Sequence, residues 1–267
     1  MLLPDWKDRS KVVIGMLHLA PLPGSPRYGG SIDGVRDAVL RDAQLLAEGG
    51  VHGLMMENFG DAPFFPGRVP AHVVAHMTAL AGDIRRAVPQ LPLGINVLRN
   101  DGLSALSIAH AVGAAYIRVN VLCGVRVADQ GLLHGIAHDL LRLRSELRAD
   151  PIKIFADVDV KHSAPLAERA MEDEVDDTLH RGLADALIVS GAGTGKATDP
   201  QKVKRVKAAA KTVPVFLGSG VTPQTLPDLL PRADGFIVGT YFKKEALAAN
   251  PVDPDRVREL MRSAIQI

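Results

Sequence analysis

The sequence predicts an α/β fold, a closed (β/α)8 TIM barrel, on three observations. Strand-like apolar runs alternate with helical stretches eight times within 267 residues, a size usual for that architecture. Polar residues gather at the C-terminal ends of these runs, where a barrel of this kind carries its chemistry. Each of the last two runs ends in a glycine turn: Phe216-Leu217-Gly218-Ser219-Gly220-Val221-Thr222-Pro223 and Phe236-Ile237-Val238-Gly239-Thr240-Tyr241-Phe242-Lys243.

The eight runs are Val12–Leu17, Gly53–Met56, Leu93–Val97, Tyr116–Val119, Ile152–Val158, Ala186–Val189, Val215–Leu217 and Gly235–Val238. Between them, Val35–Ala47, Val73–Ala87, Ser104–Val112, Ile136–Leu147, Ala167–Arg181 and Val203–Ala210 show apolar spacings of three and four with charged faces, the pattern of outer helices. Arg256–Ile265 closes the ring. Asp199 before Pro200, and Thr222 before Pro223, place a capping side chain ahead of a proline and mark two helix starts. Residues 1–11 read as a lead-in, and the whole of 1–267 as one barrel domain. An open doubly wound sheet would alternate in the same way, but it calls for a dinucleotide turn in its first unit. That place is taken by Ala20–Ile32, a proline- and glycine-rich stretch that reads as a loop over the barrel mouth, so no organic cofactor is evident.

Composition narrows the function class. With 47% hydrophobic residues and a formal charge of +1, the chain has apolar material for a sizeable core and no bias toward polyanions, which argues against nucleic acid as a partner. The N-terminus lacks the arrangement of a secretory signal, and no apolar run is long enough to span a bilayer, so the expectation is a cytoplasmic protein. Peripheral membrane association and homo-oligomers stay open. The single cysteine, Cys123, excludes an internal disulfide and a cysteine-based zinc cluster.

The candidate catalytic residues stand at the strand ends: His18 on the first, Glu57 on the second, Asn96 on the third, Arg118 and Asn120 on the fourth, and Asp157, Asp159 and Lys161 on the fifth. Side-chain alternation puts Asp157, Asp159 and Lys161 on one face if the strand stays regular, and Arg118 with Asn120 on another. Asp157 or Asp159 is then the expected base, its pKa raised by the other carboxylate, and Glu57 its partner acid. Arg118 and Lys161 would stabilise charge, with Asn96 and Asn120 as positioning groups. The rival reading is a self-satisfied ion-pair network filling the barrel end. Lys161 is also a Schiff-base candidate by type, but the two aspartates before it should raise its pKa and keep it protonated. Asp157, Asp159 and His162 resemble a divalent-metal set; His162 falls on the opposite alternation, so a metal is not favoured.

The glycine turns read as a phosphate cup. Gly218, Gly220 and Gly239 let backbone N–H groups approach an anion, with Ser219 and Thr240 adding hydroxyls, and the loops after strands 7 and 8 are the usual phosphate site of this barrel. After strand 6, Ser190-Gly191-Ala192-Gly193-Thr194-Gly195-Lys196-Ala197 fails the P-loop spacing, with Ser190 where the leading glycine belongs and Ala197 after the lysine. Gly191, Gly193 and Thr194 still suit a loop that folds over a substrate phosphate.

Several blocks in order resemble the BtpA family, which includes SgcQ-like proteins. They are Gly15-Met16-Leu17-His18-Leu19-Ala20-Pro21-Leu22-Pro23-Gly24, Glu57-Asn58-Phe59-Gly60-Asp61-Ala62-Pro63-Phe64, Gly94-Ile95-Asn96-Val97-Leu98-Arg99-Asn100-Asp101, Ile117-Arg118-Val119-Asn120 and Ala156-Asp157-Val158-Asp159-Val160-Lys161-His162. The Ser190–Gly195 and Gly218–Val221 turns complete the match. This resemblance implies a phosphate-binding barrel of the ribulose-phosphate type. It also implies an association with photosystem I biogenesis or stability in cyanobacteria, with relatives in organisms without photosynthesis. It supplies no catalytic set, so the site residues rest on strand-end placement. Together these readings give an isomerase- or lyase-type enzyme acting by proton transfer on a small phosphorylated ligand, a sugar phosphate or nucleotide-derived compound. The alternative is a non-enzymatic assembly or stability factor.

Overall fold

Alternating side chains along the strands decide what fills this barrel and what faces its helices. The structure, a computed structural model, describes residues 2–191, 193 and 198–265. In chain order its strands are β1 (Val12–His18), β2 (Gly53–Glu57), β3 (Leu93–Asn96), β4 (Tyr116–Val119), β5 (Val125–Ala128), β6 (Gly131–His134), β7 (Lys153–Val158), β8 (Ser163–Pro165), β9 (Ala186–Val189), β10 (Val215–Leu217) and β11 (Gly235–Val238). Eight of them close a parallel barrel in the order β1-β11-β10-β9-β7-β4-β3-β2. The helices are α1 (Ile32–Glu48), α2 (Ala71–Ala87), α3 (Gly102–Val112), α4 (Ala137–Glu146), α5 (Met171–Asp176), α6 (Pro200–Ala210), α7 (Leu226–Leu229) and α8 (Pro254–Ile265).

Outward-facing Ile117, Val119, Ile154, Ala156 and Val158 join the core between strands and helices, whereas inward-facing Tyr116 and Phe155 belong to a second cluster inside the barrel. There Tyr116 stacks on Phe155 at 4.8 Å, Phe155 meets Phe216 at 5.0 Å, and Trp6 of the lead-in lies against all three rings. The Trp6 indole N–H donates to the His52 carbonyl at 2.7 Å, so the lead-in plugs the floor with its one polar atom satisfied. Gly94 makes the stacking space: a Cβ there would lie 2.1 Å from the Tyr116 ring.

Helix starts are capped where side chains allow. Ser31 accepts from Gly34 N at 3.0 Å, Asp101 from Ser104 N at 2.9 Å, and Asp199 from Gln201 N at 2.9 Å, as the sequence predicts for Asp199. At Thr222 the structure differs. Thr222 and Thr225 bond each other in a turn, and α7 starts only at Leu226. Pro231 has no N–H to continue that helix, so it closes in a short 3-10 turn. The predicted helix Ala167–Arg181 is likewise shorter: α5 covers Met171–Asp176 and widens into a π-helical turn over Asp177–Arg181.

The main addition is the sheet β6-β5-β8, antiparallel throughout, which joins the loop after β4 to the loop after β7 at the barrel rim. Its hairpin turns at Asp129 and Gln130. The strands are only three or four residues long, too short for alternation to announce them.

Candidate active site

One layer above the aromatic rings, the same inward positions become polar. Two residues after Tyr116 comes Arg118, and two after Phe155 comes Asp157; their forks meet in two parallel bonds of 2.8 Å, Nε to Oδ2 and Nη2 to Oδ1. Asn120 Nδ2 adds a third at 2.9 Å to Oδ2, and Asn96 donates to the Arg118 carbonyl at 3.2 Å and to Asn120 Oδ1 at 3.3 Å. Arg118 and Asp157 have almost no exposed side chain. Burial works against the Arg118 charge, but Asp157 outweighs it and raises the guanidinium pKa.

This geometry changes the expected role of Asp157. A base needs a free lone pair aimed at substrate, and both Asp157 oxygens are held by Arg118 and Asn120. Asn96, Arg118, Asn120 and Asp157 therefore form a hydrogen-bonded network of the kind considered from sequence, although Asn96 Oδ1 is buried in it without a hydrogen bond among the described residues. Asp159 departs further. The strand ends at Val158, and Asp159 takes a left-handed backbone (φ 54°), which breaks the alternation that would have aligned it with Asp157. Its carboxylate goes instead to Arg126 at 2.8 Å and Lys202 at 2.7 Å, and Arg126 bridges on to Glu174 at 2.5 Å. Asp159 borders a separate side pocket with Asp157, Arg126 and Glu174. Asp157 and Asp159 do not form a facing pair, and among the described residues no group of three His, Cys, Asp or Glu is placed to hold a metal.

Three other predicted residues converge on open space. His18 and Glu57 are neighbours across β1 and β2, with His18 Nε2 3.9 Å from Glu57 Oε1. His18 Nδ1 lies 3.1 Å from the Ala248 carbonyl, which can only accept, so Nδ1 carries the proton and Nε2 keeps a bare lone pair. Burial, then the nearby Lys243 charge, pull the imidazole pKa down to about 3. The ring stacks on Phe59 at 4.5 Å, which fixes its plane. Lys161 is the third. Neither it nor the Glu57 carboxylate makes a side-chain hydrogen bond among the described residues. Burial first, and then Arg118, lower the Lys161 pKa against the opposite pull of Glu57 and Asp157. The sequence expectation of a raised pKa is thus reversed. One of the two aspartates is turned away and the other is neutralised by an arginine that repels Lys161.

Two cavities meet at these residues. The smaller, about 300 Å³, is lined by Gly218, Ser219, Gly220, Gly239, Thr240 and Arg256, the two glycine turns among them. The larger, about 790 Å³, extends under Phe59 and Phe64 toward Arg27 and Arg41. His18, Glu57 and Lys161 line both. In the smaller one Gly218 is obligatory for space, since a Cβ would stand 2.6 Å from Ser190 Oγ, and at Gly239 it would stand 2.9 Å from the His18 ring. Gly220 adopts φ 71°. Ser219 Oγ accepts from Gly191 N at 2.6 Å, so one amide of the loop after β9 is already used in bracing the cup. Gly193 is buried there, and Thr194 lies outside the described residues.

Residues 9–266 match the BtpA family. The chain belongs to the BtpA family. An uncharacterized protein of Thermococcus kodakarensis is 49% identical over 96% of this chain and 96% of its own length. The photosystem I biogenesis protein BtpA of Synechocystis is 46% identical over 92% of this chain and 85% of its own. Among solved structures, phosphoribosyl anthranilate isomerase from Thermus thermophilus superposes with a TM-score of 0.58 at 14% identity, covering 96% of this chain and 98% of that one, a likeness of fold. No helix among the described residues is long and apolar enough to cross a membrane.

In this BtpA-family barrel two arginines reach the mouth without having been given a role from sequence. Arg256 follows the proline that starts α8, where it reads as an outer-helix charge, but its Nε donates to the Tyr241 carbonyl at 2.6 Å and its guanidinium covers the Tyr241 ring at 4.3 Å beside the cup. Arg99, 4% exposed, donates to the Lys161 carbonyl at 2.5 Å and so fixes the backbone of the lysine. A cation just past the third strand end was the available signal for Arg99.

Proposed function

We propose that the barrel mouth binds a small phosphorylated metabolite and transforms it by isomerase- or lyase-type proton transfer. The observation that carries this reading is the shared wall: a ligand with its phosphate in the 300 Å³ cup and its body in the 790 Å³ cavity must lay its middle across His18, Glu57 and Lys161. The cup offers backbone around Gly218, Gly220 and Gly239, the Ser219 and Thr240 hydroxyls, and the Arg256 cation, a set suited to a phosphate dianion. Glu57 takes the role of base or acid, the bare Nε2 of neutral His18 accepts a substrate hydroxyl or proton, and Lys161 meets developing negative charge. The Arg118–Asp157 pair with Asn96 and Asn120 holds the floor beneath them.

The test is a thermal-shift series with inorganic phosphate, sugar phosphates and nucleotides, because a ligand that binds only the folded chain raises its stability, by about 2.7 kcal/mol at a hundredfold excess over Kd. A selective rise with one phosphorylated compound, abolished by Gly218→Asp, is the expected result and names a compound to assay for turnover. Absence of any shift across the series would refute the phosphate site.

A non-catalytic assembly factor is the second reading, favoured by one observation. Val127 and Leu132 of the rim sheet, and Leu166 just beyond β8, are exposed apolar side chains clustered on one element. A stoichiometric partner that stays bound to the triple variant Asp157→Asn, Glu57→Gln, Lys161→Met would support it.

A further inference from the structure

Among the described residues, the lysines that are partly or fully withdrawn from solvent are engaged, with one exception. Lys153 pairs with Asp185 at 3.2 Å, Lys202 with Asp159 at 2.7 Å, and Lys11 donates to the Ala233 carbonyl at 2.6 Å. The second lysine withdrawn from solvent near the mouth, Lys243, is 1% exposed and holds Asp42 at 2.6 Å, with the other Asp42 oxygen accepting from Val252 N at 2.9 Å. Lys161 is different. Its amine has no carboxylate or carbonyl among the described residues, while its backbone is fixed through Arg99. It lines both cavities where they join, in the company of a carboxylate without a hydrogen bond and an imidazole with a bare nitrogen.

A lysine held there only to grip an anion would be best left fully charged and salt-bridged at rest. The arrangement instead commits both aspartates to other cations, Asp157 to Arg118 and Asp159 to Arg126 and Lys202, and leaves Glu57 as the carboxylate that shares both cavity walls with the amine. Burial and the Arg118 charge then lower the pKa of the amine, which eases release of the proton that a nucleophilic nitrogen must shed.

Resting on the reading above, and naming its substrate class, we propose that Lys161 forms an imine with the carbonyl carbon of a phosphorylated aldehyde or ketone. The amine nitrogen adds to the carbonyl carbon as the C=O π pair moves to oxygen; nitrogen gives up one proton and oxygen gains one. The carbinolamine then expels its oxygen as water, with Glu57 as the adjacent proton donor, and the nitrogen lone pair closes the C=N bond. Glu57 takes that proton beforehand from the Lys161 ammonium, so the sum is ammonium plus carbonyl giving iminium plus water, balanced in atoms and charge. The iminium draws electrons from the adjacent carbon, so that a C–H proton there passes to Glu57 or His18 Nε2; or the bond from that carbon to a hydroxyl-bearing neighbour breaks, its pair forming the enamine while the hydroxyl proton passes to Glu57 or His18 Nε2 and the released fragment leaves as a carbonyl compound. Water returns the lysine.

The experiment incubates the full chain with dihydroxyacetone phosphate or glyceraldehyde 3-phosphate, adds sodium borohydride to reduce any iminium to a secondary amine, and maps labelled peptides by mass spectrometry. The expected result is an adduct concentrated on the peptide carrying Lys161, with Lys243 unlabelled, and loss of that adduct in Lys161→Met of unchanged circular dichroism. Labelling spread over surface lysines, or no adduct on Lys161 in the wild-type chain, overturns the imine without recourse to any variant. Calorimetric titration with glycerol 3-phosphate, which has no carbonyl, reads the phosphate cup separately. Its binding without a Lys161 adduct leaves the phosphate reading intact and removes the imine; an adduct without its binding does the reverse.

Discussion

Arg118 and Asp157 lock together in a double 2.8 Å fork inside the barrel, with neither side chain measurably open to solvent. Removing one partner leaves the other charge buried and unpaired, which is worth about 3–5 kcal/mol against the fold. Asp157→Asn and Arg118→Met should each lose stability on that scale in urea unfolding. The double change Arg118→Met, Asp157→Leu should be more stable than either single variant, since no charge is stranded. A loss in the double variant equal to the sum of the two single losses would show that the pair is not coupled.

Asp159, itself partly exposed, pairs with Arg126 and Lys202, whose side chains are largely buried. Its replacement by Asn should cost about 1–3 kcal/mol of stability, because it takes a carboxylate from two largely buried cations, and leave phosphate-ester affinity unchanged in calorimetry. A lost ligand would return Asp159 to the site.

His18 links the site to pH. Its pKa of about 3 in the folded chain lies below the ordinary 6.5, so the unfolded chain binds a proton that the folded one refuses. Stability from this group is complete above 6.5 and is lost as pH falls toward 3, on the order of 5 kcal/mol across the window. His18→Gln should flatten the pH–stability curve there. His52, pulled down to about 4 mainly by burial, keeps a residual slope in the variant. A wild-type imidazole that titrates near 6.5 by NMR would contradict the burial argument.

Gly239 faces the His18 ring with room for hydrogen only. Gly239→Ala forces the ring or the turn to move, an overpacking of about 1–3 kcal/mol, and should weaken phosphate-ester binding more than Gly67→Ala, where nothing stands within 4 Å and φ is not positive. Equal effects at both positions would trace the loss to backbone conformation instead.

The barrel was legible because buried parallel strands leave continuous apolar runs such as Ile14–Leu17 and Ala186–Val189, and because the strand-end polar residues do line the mouth. What escaped lies where local rules are broken by distant contacts. A left-handed residue at Asp159 undoes the alternation argument, and only Arg126 and Lys202 from other elements explain its direction. Asp157 and Lys161 share a sequence neighbourhood but opposite electrostatic fates, because Arg118, 39 residues from Asp157, chooses the first. The hairpin Val125–His134 is too short for periodicity, and Arg256 reads as helix surface until Tyr241 folds back to it.

That hairpin gives the mouth two unlike sides. Because β5 is stitched to both β6 and β8, the loops after β4 and β7 move as one ribbon, and parting them means breaking a ladder of backbone hydrogen bonds. Across the opening, the segments 20–31 and 247–251 have no strand pairing to hold them. One side of the mouth is thus held by a ladder and the other by single bonds, such as Leu22 N to Asp61 and the Ala248 carbonyl to His18.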